Sequence, residues 1–478
     1  MRSYRTNTLA LVALLAGCTV GPDFHEPAVD SPAVWGGQNV EVGSRTYGGP
    51  VEEAWWDSFH DPELTSLETR LAKQNLDLQS ALERVKQARA QVQVAASQGL
   101  PRVEAESQAA HIRQSPDGPA SLVEPAPGAK LDYNLYENLL ETSWELDLFG
   151  KVRRAKEAAN ANSLAAIEAR HALALKVISD LAQDYMTLRG LQAQQSIVEA
   201  NLAVARKNLT LVQQRFDAGV ATNSDVDNAE TQIAEITANV SPIQQQIAQQ
   251  INAIGVLLAL PPRALDAELR RPAALPIIPP SVPVGLPSTL LLRRPDIRES
   301  LARLHEAVAQ TGVATASFYP DISLTGHAGL QGLSASNAFS MPSLEYQIGP
   351  SISLPLFEGG RLTGTLKLRE SQQQEAGLDY RKTVLQAWNE VDDALTAYAL
   401  AQQRQKDVAT TVAKSQKTLT DTQQNFQQGT VGFLNVTAAQ AQVLRNQQSL
   451  ARADTRLNVN LINLYKALGG GWKTVEGP

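Results

Sequence analysis

The only thiol in the 478 residues is Cys18. A single cysteine supports neither a disulfide framework nor a thiolate metal cluster. Its chemistry is that of one sulfur, either modified or idle in an apolar setting. The imidazoles offer less. The six histidines (His25, His60, His111, His171, His305 and His327) are scattered, with no pair at a ligand spacing. The chain carries no Gly-x-Ser-x-Gly elbow, no phosphate-cradling loop and no zinc motif. Asp392-Asp393 is a paired carboxylate in a helical pattern and reads as a solvated face. Three Met, one of them the initiator, make no thioether set for copper or silver. The residue types argue against an enzyme, and a net charge of −7 argues against a general nucleic-acid binder.

Cys18 gains meaning from what precedes it. Arg2 and Arg5 lead into an apolar run, Leu9 to Ala16, too short for a membrane helix of about 20 residues. The layout is that of a secretory signal peptide. Leu15-Ala16-Gly17-Cys18 resembles the bacterial lipoprotein box. That resemblance implies removal of residues 1–17, then S-diacylglycerol and N-palmitoyl groups on Cys18. In Gram-negative lipoproteins an Asp after the cysteine favours the inner membrane; Thr19 stands here, which implies outer-membrane sorting. No later run reaches spanning length, so helical spans are excluded, while barrel strands need only about ten alternating residues. Aromatic content of 5% and 30 Gly do not describe a compact enzyme.

The elements that must position any site follow from two periods. From Leu140 to Leu148 the chain alternates: Leu140, Thr142, Trp144, Leu146 and Leu148 on one face, Glu141, Ser143, Glu145 and Asp147 on the other. That is a strand with an apolar and an acidic face. At Phe149-Gly150 the period changes, and a helix from Lys151 to Phe216 follows, on the order of 100 Å long at 1.5 Å per residue. Gly219 ends it, and Ser224-Asp225-Val226-Asp227 opens the next helix with capping-box spacing, running to Leu260. Before the strands, Asp61-Pro62 starts a helix whose seam runs from Leu64 to Ala95 in 3-4 spacing.

The programme then repeats. A helix from Asp296, two alternating segments and a long helix from Gly360 mirror the first half. Gln213 to Gly219 aligns with Gln423 to Gly429, 210 positions on, and Val226, Ala229 and Gln232 meet Val436, Ala439 and Gln442 at that offset. The expected layout is a signal (1–17), a lipidated extended arm (18–60), repeat 1 (61–260, strands 102–113 and 133–148), a Pro-rich linker (261–287), repeat 2 (288–468, strands 321–331 and 344–356) and a tail (469–478). The fold class is mainly α with a membrane β-barrel portion, internally duplicated.

Four amphipathic strands cannot close on themselves, and open edges are not tolerated in lipid. The smallest filled barrels need about eight strands, so the chain must oligomerise, and three copies give twelve. Glu141, Ser143, Glu145, Asp147, Ser351 and Ser353 would line a wet lumen. Trp144, Leu146, Ile352 and Leu354 would meet lipid. Phe149, Phe318, Tyr319 and Phe357 below, with Tyr133, Tyr136 and Phe339 above, suit interfacial girdles. The helices would continue as a hollow tube, with both turns, at Gly219 and Gly429, at one end.

Leu15 to Phe24, Trp144-Glu145-Leu146-Asp147-Leu148-Phe149-Gly150, Leu292-Arg293-Arg294-Pro295-Asp296-Ile297-Arg298 and Tyr465 to Trp472 together resemble the TolC/OprM outer membrane factors. The closer likeness is to their lipoprotein branch (the NodT family), which serves resistance–nodulation–division efflux pumps. The resemblance covers the whole mature chain. It implies a homotrimeric duct of a twelve-stranded β-barrel over an α-helical barrel, docking a periplasmic adaptor and an inner-membrane transporter and exporting drugs or other small molecules. Outer-membrane lipid would surround the barrel. Phe149, Phe357 and Trp144 would anchor it, and Gly219, Gly429, Phe216 and Phe426 would meet the adaptor.

The resemblance also places a periplasmic gate. Family acid positions hold Asn435 and Ala438 here, and latch positions hold Phe426 and Val431, a departure from the polar second-repeat latch that the resemblance would imply. Leu434 falls at the apolar-ring position with Phe433 beside it, while Ser224, Asp225 and Asp227 keep polar groups on the first-repeat side. The expected gate is an apolar one at Leu434 with negative charge from Asp225 and Asp227. Two rivals stand beside it: export of proteins by a type I secretion system on the same fold, and a structural coiled-coil envelope lipoprotein, which leaves the four strands idle.

Overall fold

A computed structural model describes residues 19–36, 45–115, 117 and 131–475. Residues 1–17, Cys18 and most of the 115–128 loop lie outside it. In chain order the elements are strand β1 (Arg45–Tyr47), a 3-10 turn (Trp55–Phe59), helices α1 (Pro62–Gln74) and α2 (Leu76–Ser97), strands β2 (Arg102–Arg113) and β3 (Asp132–Leu146), the long helix α3 (Lys151–Asp217), α4 (Asn223–Ala238), α5 (Val240–Leu257) and α6 (Asp266–Leu269). The second half brings β4 (Ser281–Pro283), α7 (Pro287–Arg293), α8 (Pro295–Ala316), β5 (Asp321–Gly332), β6 (Leu344–Ser353), α9 (Arg361–Gln427) and α10 (Phe433–Ala467). Helices α3 and α9 are both 67 residues long. The bounds of α9 and the start of α10 each lie 210 positions after their first-half counterparts. The duplication is therefore structural as well as sequential.

One compact unit comprises residues 1–27, 86–165 and 301–379. Its centre is an antiparallel sheet in the order β2-β3-β5-β6. The register sets Glu104 opposite Glu141, Glu141 opposite His327 and His327 opposite Gln347. The neighbouring positions put Ala105, Leu140, Ala328 and Tyr346 in a row on the other face. Leu140, Ile348 and Ile352 on that face are exposed. The chain thus presents an apolar sheet face to its surroundings, and β2 and β6 each have a free edge within it.

Two strand ends differ from the alternation. β3 stops at Leu146, because the Asp147 carboxylate turns to accept the backbone N–H groups of Val152 (3.1 Å) and Arg153 (2.8 Å). Asp147 also pairs with the Arg153 guanidinium at 3.2 Å. It caps α3 and does not extend the lumenal row, since orphan N–H groups at a helix start outcompete a strand position for a nearby carboxylate. β6 stops at Ser353, two residues before Pro355, which has no N–H for a ladder. Leu354 and Leu356 therefore lie beyond the strand.

The second unit comprises residues 28–85, 166–300 and 380–478. Its core gathers Trp55, Leu64, Leu67, Leu71, Ile178, Leu181, Tyr185, Met186, Ile251, Tyr398 and Tyr465, all essentially inaccessible. Three segments expected to be peripheral are built into it. From the arm, Trp55 and Phe59 are buried in the 3-10 turn. From the Pro-rich linker, β4 pairs in parallel with β1, and Leu265, Leu269, Val282 and Val284 are buried. From the tail, Trp472 is buried and donates its indole N–H to the Arg293 carbonyl at 3.2 Å. Apolar residues set singly among prolines carry no period, so composition reads such segments as loose while their side chains fill core space.

The two predicted single helices at 61–97 and 224–260 are each divided. Asn75 is extended, and its side chain both accepts from Leu78 N–H and donates to the Leu257 carbonyl, ending one helix and capping the next. The other break, at Asn239, precedes Pro242, which lacks the amide for an i→i−4 bond. Elsewhere α3 and α10 come close at Gly190, where an added Cβ would lie 2.0 Å from Thr455 Oγ1 and 2.8 Å from its Cγ2. Gly190→Val must push these helices apart, at a cost of about 2 kcal/mol from overpacking. Thermal unfolding of the purified variant should show a lowered midpoint.

Candidate gate at the helix tips

The ends of α3 and α9 are built alike. Gly219 and Gly429 take the left-handed conformation, φ 75° and 78°, that lets a helix terminate without a Cβ clash. Behind each, a backbone N–H reaches back over the turn: Val220 to the Arg215 carbonyl at 2.8 Å, Thr430 to the Asn425 carbonyl at 3.0 Å. The turns are held together by a small core of Val212, Val226, Ala229, Phe426, Phe433 and Val436. Phe426 and Phe433 tilt against each other with centroids 5.6 Å apart. The Arg215 guanidinium lies 4.4 Å from the Phe426 ring centroid, a cation–π contact that covers the ring.

The residues singled out from sequence divide into two groups here. Leu434 is 63% exposed and Phe433 only 3%. One faces outward as an apolar ring member would; the other supports it from inside. Phe426 is likewise interior, while its repeat partner Phe216 is 40% exposed. Asn435 is exposed, its amide resting on the Gly432 carbonyl. Val431 packs against the core, and Ala438 is exposed.

On the first-repeat side the capping box belongs to Thr222 and Asp225, not to Ser224. Asp225 Oδ2 accepts from Thr222 N–H (2.9 Å) and from the Thr222 hydroxyl (2.7 Å). Asp225 N–H is directed at Thr222 Oγ1 in return. Asp227 accepts from the Asn223 amide at 3.1 Å and is exposed, as is Ser224. Arg215 and Thr222 are the tip residues that sequence reasoning missed. Thr222-x-x-Asp225 is itself a capping signal, two positions ahead of Ser224-x-x-Asp227; the Arg215–Phe426 contact has no local signature.

At the sheet-to-helix junction, Phe149 stacks on Tyr319 with centroids 4.9 Å apart. Trp144, 37% exposed, donates its indole N–H to the Gly99 carbonyl at 3.0 Å. Phe357 is 90% exposed. Lys151 bridges Glu145 and Asp321 at 3.6 and 3.1 Å, tying β3, α3 and β5. Among the described residues no group of three or more His, Cys, Asp or Glu is placed to hold a metal ion, and no helix is long and apolar enough to cross a membrane.

The comparison with known proteins matches this geometry. The family model described as "Outer membrane efflux protein" matches residues 68–259 and 286–470, one segment per repeat. The chain belongs to the outer membrane efflux protein family. Nodulation protein T of Rhizobium leguminosarum bv. viciae is 31% identical over 99% of this chain and 94% of that protein. The solvent efflux pump outer membrane protein SrpC of Pseudomonas putida is 30% identical over 99% of each. Among solved structures, the outer-membrane channel OprN superposes with a TM-score of 0.88 at 30% identity, covering 95% of this chain and all of that one. As an outer membrane efflux protein the chain is a non-enzymatic channel component, located in the outer membrane and extending into the periplasm.

Proposed function

We propose that this chain is the exit duct of a tripartite efflux pump, carrying drugs or other small molecules across the periplasm and outer membrane. The observation that carries this reading is the duplicated junction: a sheet with one bare apolar face and two free edges, continued by two 67-residue helices. Three copies close the sheet into a twelve-stranded barrel, because lipid tolerates no unpaired edge. The row containing Glu104, Glu141, His327 and Gln347 then faces water, and the row containing Leu140, Ala328 and Tyr346 faces lipid. Cys18, carrying S-diacylglycerol and N-palmitoyl groups, adds an anchor. A periplasmic adaptor meets the tip turns at Gly219 and Gly429, where Phe216 and Val220 are exposed, and a resistance–nodulation–division transporter supplies the cargo.

In the resting duct Leu434 from each copy forms an apolar constriction, buttressed by Phe433 and Phe426, with Asp225, Asp227, Ser224 and Asn435 making the polar surround. Channels of the purified protein in planar bilayers test the reading directly. Leu434→Ser should raise single-channel conductance and sensitise cells to vancomycin, because a hydroxyl wets a constriction that an isobutyl group keeps dry. Unchanged conductance would remove Leu434 from the gate. A protein that runs as a heat-insensitive monomer and forms no channels would remove the duct.

A further inference from the structure

The arm, the Pro-rich linker and α3 enclose a cavity of 1120 Å³ that lies within the second unit. It takes no part in the sheet, the junction or the tip turns. Its size is slightly above that of the usual small-molecule site, about 300–1,000 Å³. The linker side, Pro272 to Pro280, carries four prolines, so little backbone freedom is lost when a ligand settles against it. Five carboxyl groups and two guanidinium groups line the space. That balance favours a cation over an anion.

Most of the polar lining is already engaged. Asp61 caps α1 and accepts the Tyr185 hydroxyl at 2.7 Å. Asp57 accepts the Thr65 hydroxyl at 2.9 Å. Arg70 holds Glu268 through Nη1, at 3.0 and 3.2 Å from the two carboxylate oxygens. Glu52, His60 and Arg271 are exposed. Two groups are left over. Glu63 Oε1 is buried and receives no hydrogen bond from the described residues. Its carboxyl meets that of Glu268, and burial together with this second carboxyl pushes Glu63 up to about 7. Two like charges at such a place need a proton or a cation between them. Arg189 is only 4% exposed and lies over the Tyr185 ring, 4.8 Å from its centroid. Its Nη1 donates to Gln192 Oε1 at 2.9 Å and to the Arg271 carbonyl at 3.1 Å, while its buried Nε has no partner among the described residues. A buried donor and a buried acceptor left unmade on one cavity are rare in native interiors.

We propose that this cavity binds an organic ammonium ion that also carries a carbonyl, with the ammonium between Glu63 and Glu268 and the carbonyl oxygen on Arg189 Nε. The ammonium takes the place of the proton shared by the two carboxyls, and that proton leaves to solvent. The carbonyl supplies the acceptor that Arg189 lacks. An aliphatic body between the two groups lies against Leu275 and Ile278 of the linker, which line the same space. Amino amides and lysine-containing peptides have this chemistry. Occupancy ties α1, α3 and α6 together, because each contributes one of the three polar contacts.

Calorimetric titration of the purified full-length protein in detergent, with ε-aminocaproamide as the probe, tests the site. Caproamide lacks the ammonium and hexylammonium lacks the carbonyl. Each should bind at least about tenfold more weakly, the effect of losing one hydrogen bond to a charged group. Affinity for the probe should be about tenfold weaker at pH 6 than at pH 8, with a proton released at pH 6, because the cation displaces a proton held near pH 7. Glu63→Gln should lose that pH dependence and at least about tenfold in affinity at pH 8. No binding of the probe, equal binding of caproamide, or a pH-independent affinity in wild type would overturn the site. Unchanged affinity in a folded Glu63→Gln would overturn it as well. The comparison of the three ligands on wild type decides the matter even where the variant folds poorly.

Discussion

Trp55→Ala should lower stability by about 3–5 kcal/mol, the range for truncating a large buried aromatic. Trp55 is wholly inaccessible. It stacks on Tyr465 with centroids 5.1 Å apart at 11°, meets Trp56 and Phe59 edge-on, and donates its indole N–H to the Gly470 carbonyl at 3.2 Å. Gly471 leaves room for it: an added Cβ there would lie 2.9 Å from Trp55 Nε1. Truncation opens a cavity and orphans a buried carbonyl together, and it cuts the tie between the arm and the C-terminal segment. Trp55→Phe keeps a ring against Tyr465 but loses the N–H and part of the indole volume, so its cost should be smaller, about 1–3 kcal/mol. Thermal unfolding of the detergent-solubilised variants gives the comparison. Equal midpoints for Trp55→Ala and wild type would show that the arm does not belong to the core.

Glu68→Gln should stabilise the protein increasingly as pH rises. Glu68 is 3% exposed, and neither carboxylate oxygen has a hydrogen-bond partner among the described residues. Burial alone pushes its carboxyl well above the usual carboxylate range. In the folded chain it stays protonated where the unfolded chain has released the proton. The sign follows: below the ordinary Glu value of 4.5 the group costs nothing by ionisation. Above it stability falls by up to about 1.4 kcal/mol per pH unit until the folded-state value is reached. Glu63 adds a loss of the same sign that ends near pH 7, since burial and the neighbouring Glu268 push it up to about 7. Denaturation midpoints at several pH values would show the difference between wild type and Glu68→Gln widening from acid to neutral pH. A constant difference would mean that Glu68 is ionised in the fold. Glu68→Leu, which removes the polar atoms as well, should be more stable still at neutral pH.

Both sites show what local patterning conceals. Glu68 sits beside Leu67 and Leu71 in a helix whose buried seam was legible, but a one-position offset from that seam is enough to carry a carboxyl into the core. Trp55 lies in a Pro- and Gly-rich stretch with no period at all, so nothing short of its tertiary neighbours reveals it as a core residue. The long helices and the strands were legible because their signals repeat many times. The alternation from Leu140 to Leu146 and the match of Gln213–Gly219 with Gln423–Gly429 each combine many independent positions.

The helix tips illustrate the boundary between the two kinds of information. Sequence alone placed a turn at Gly219 and another at Gly429, put Phe433 and Leu434 at the second, and required an oligomer from the count of amphipathic strands. Periodicity alone could not separate Phe433 from Leu434, because adjacent helix positions lie about 100° apart and the apolar face is known only once a partner is; only the family resemblance pointed to Leu434. The structure decided that Phe433 supports and Leu434 faces out. It also turned Asp147 from a strand row to a helix cap and drew the arm, linker and tail into one core. Periods and repeats are properties of neighbours along the chain, and sequence determines them. Which face is buried depends on residues more than a hundred positions away, whose contacts come into being only when the chain folds.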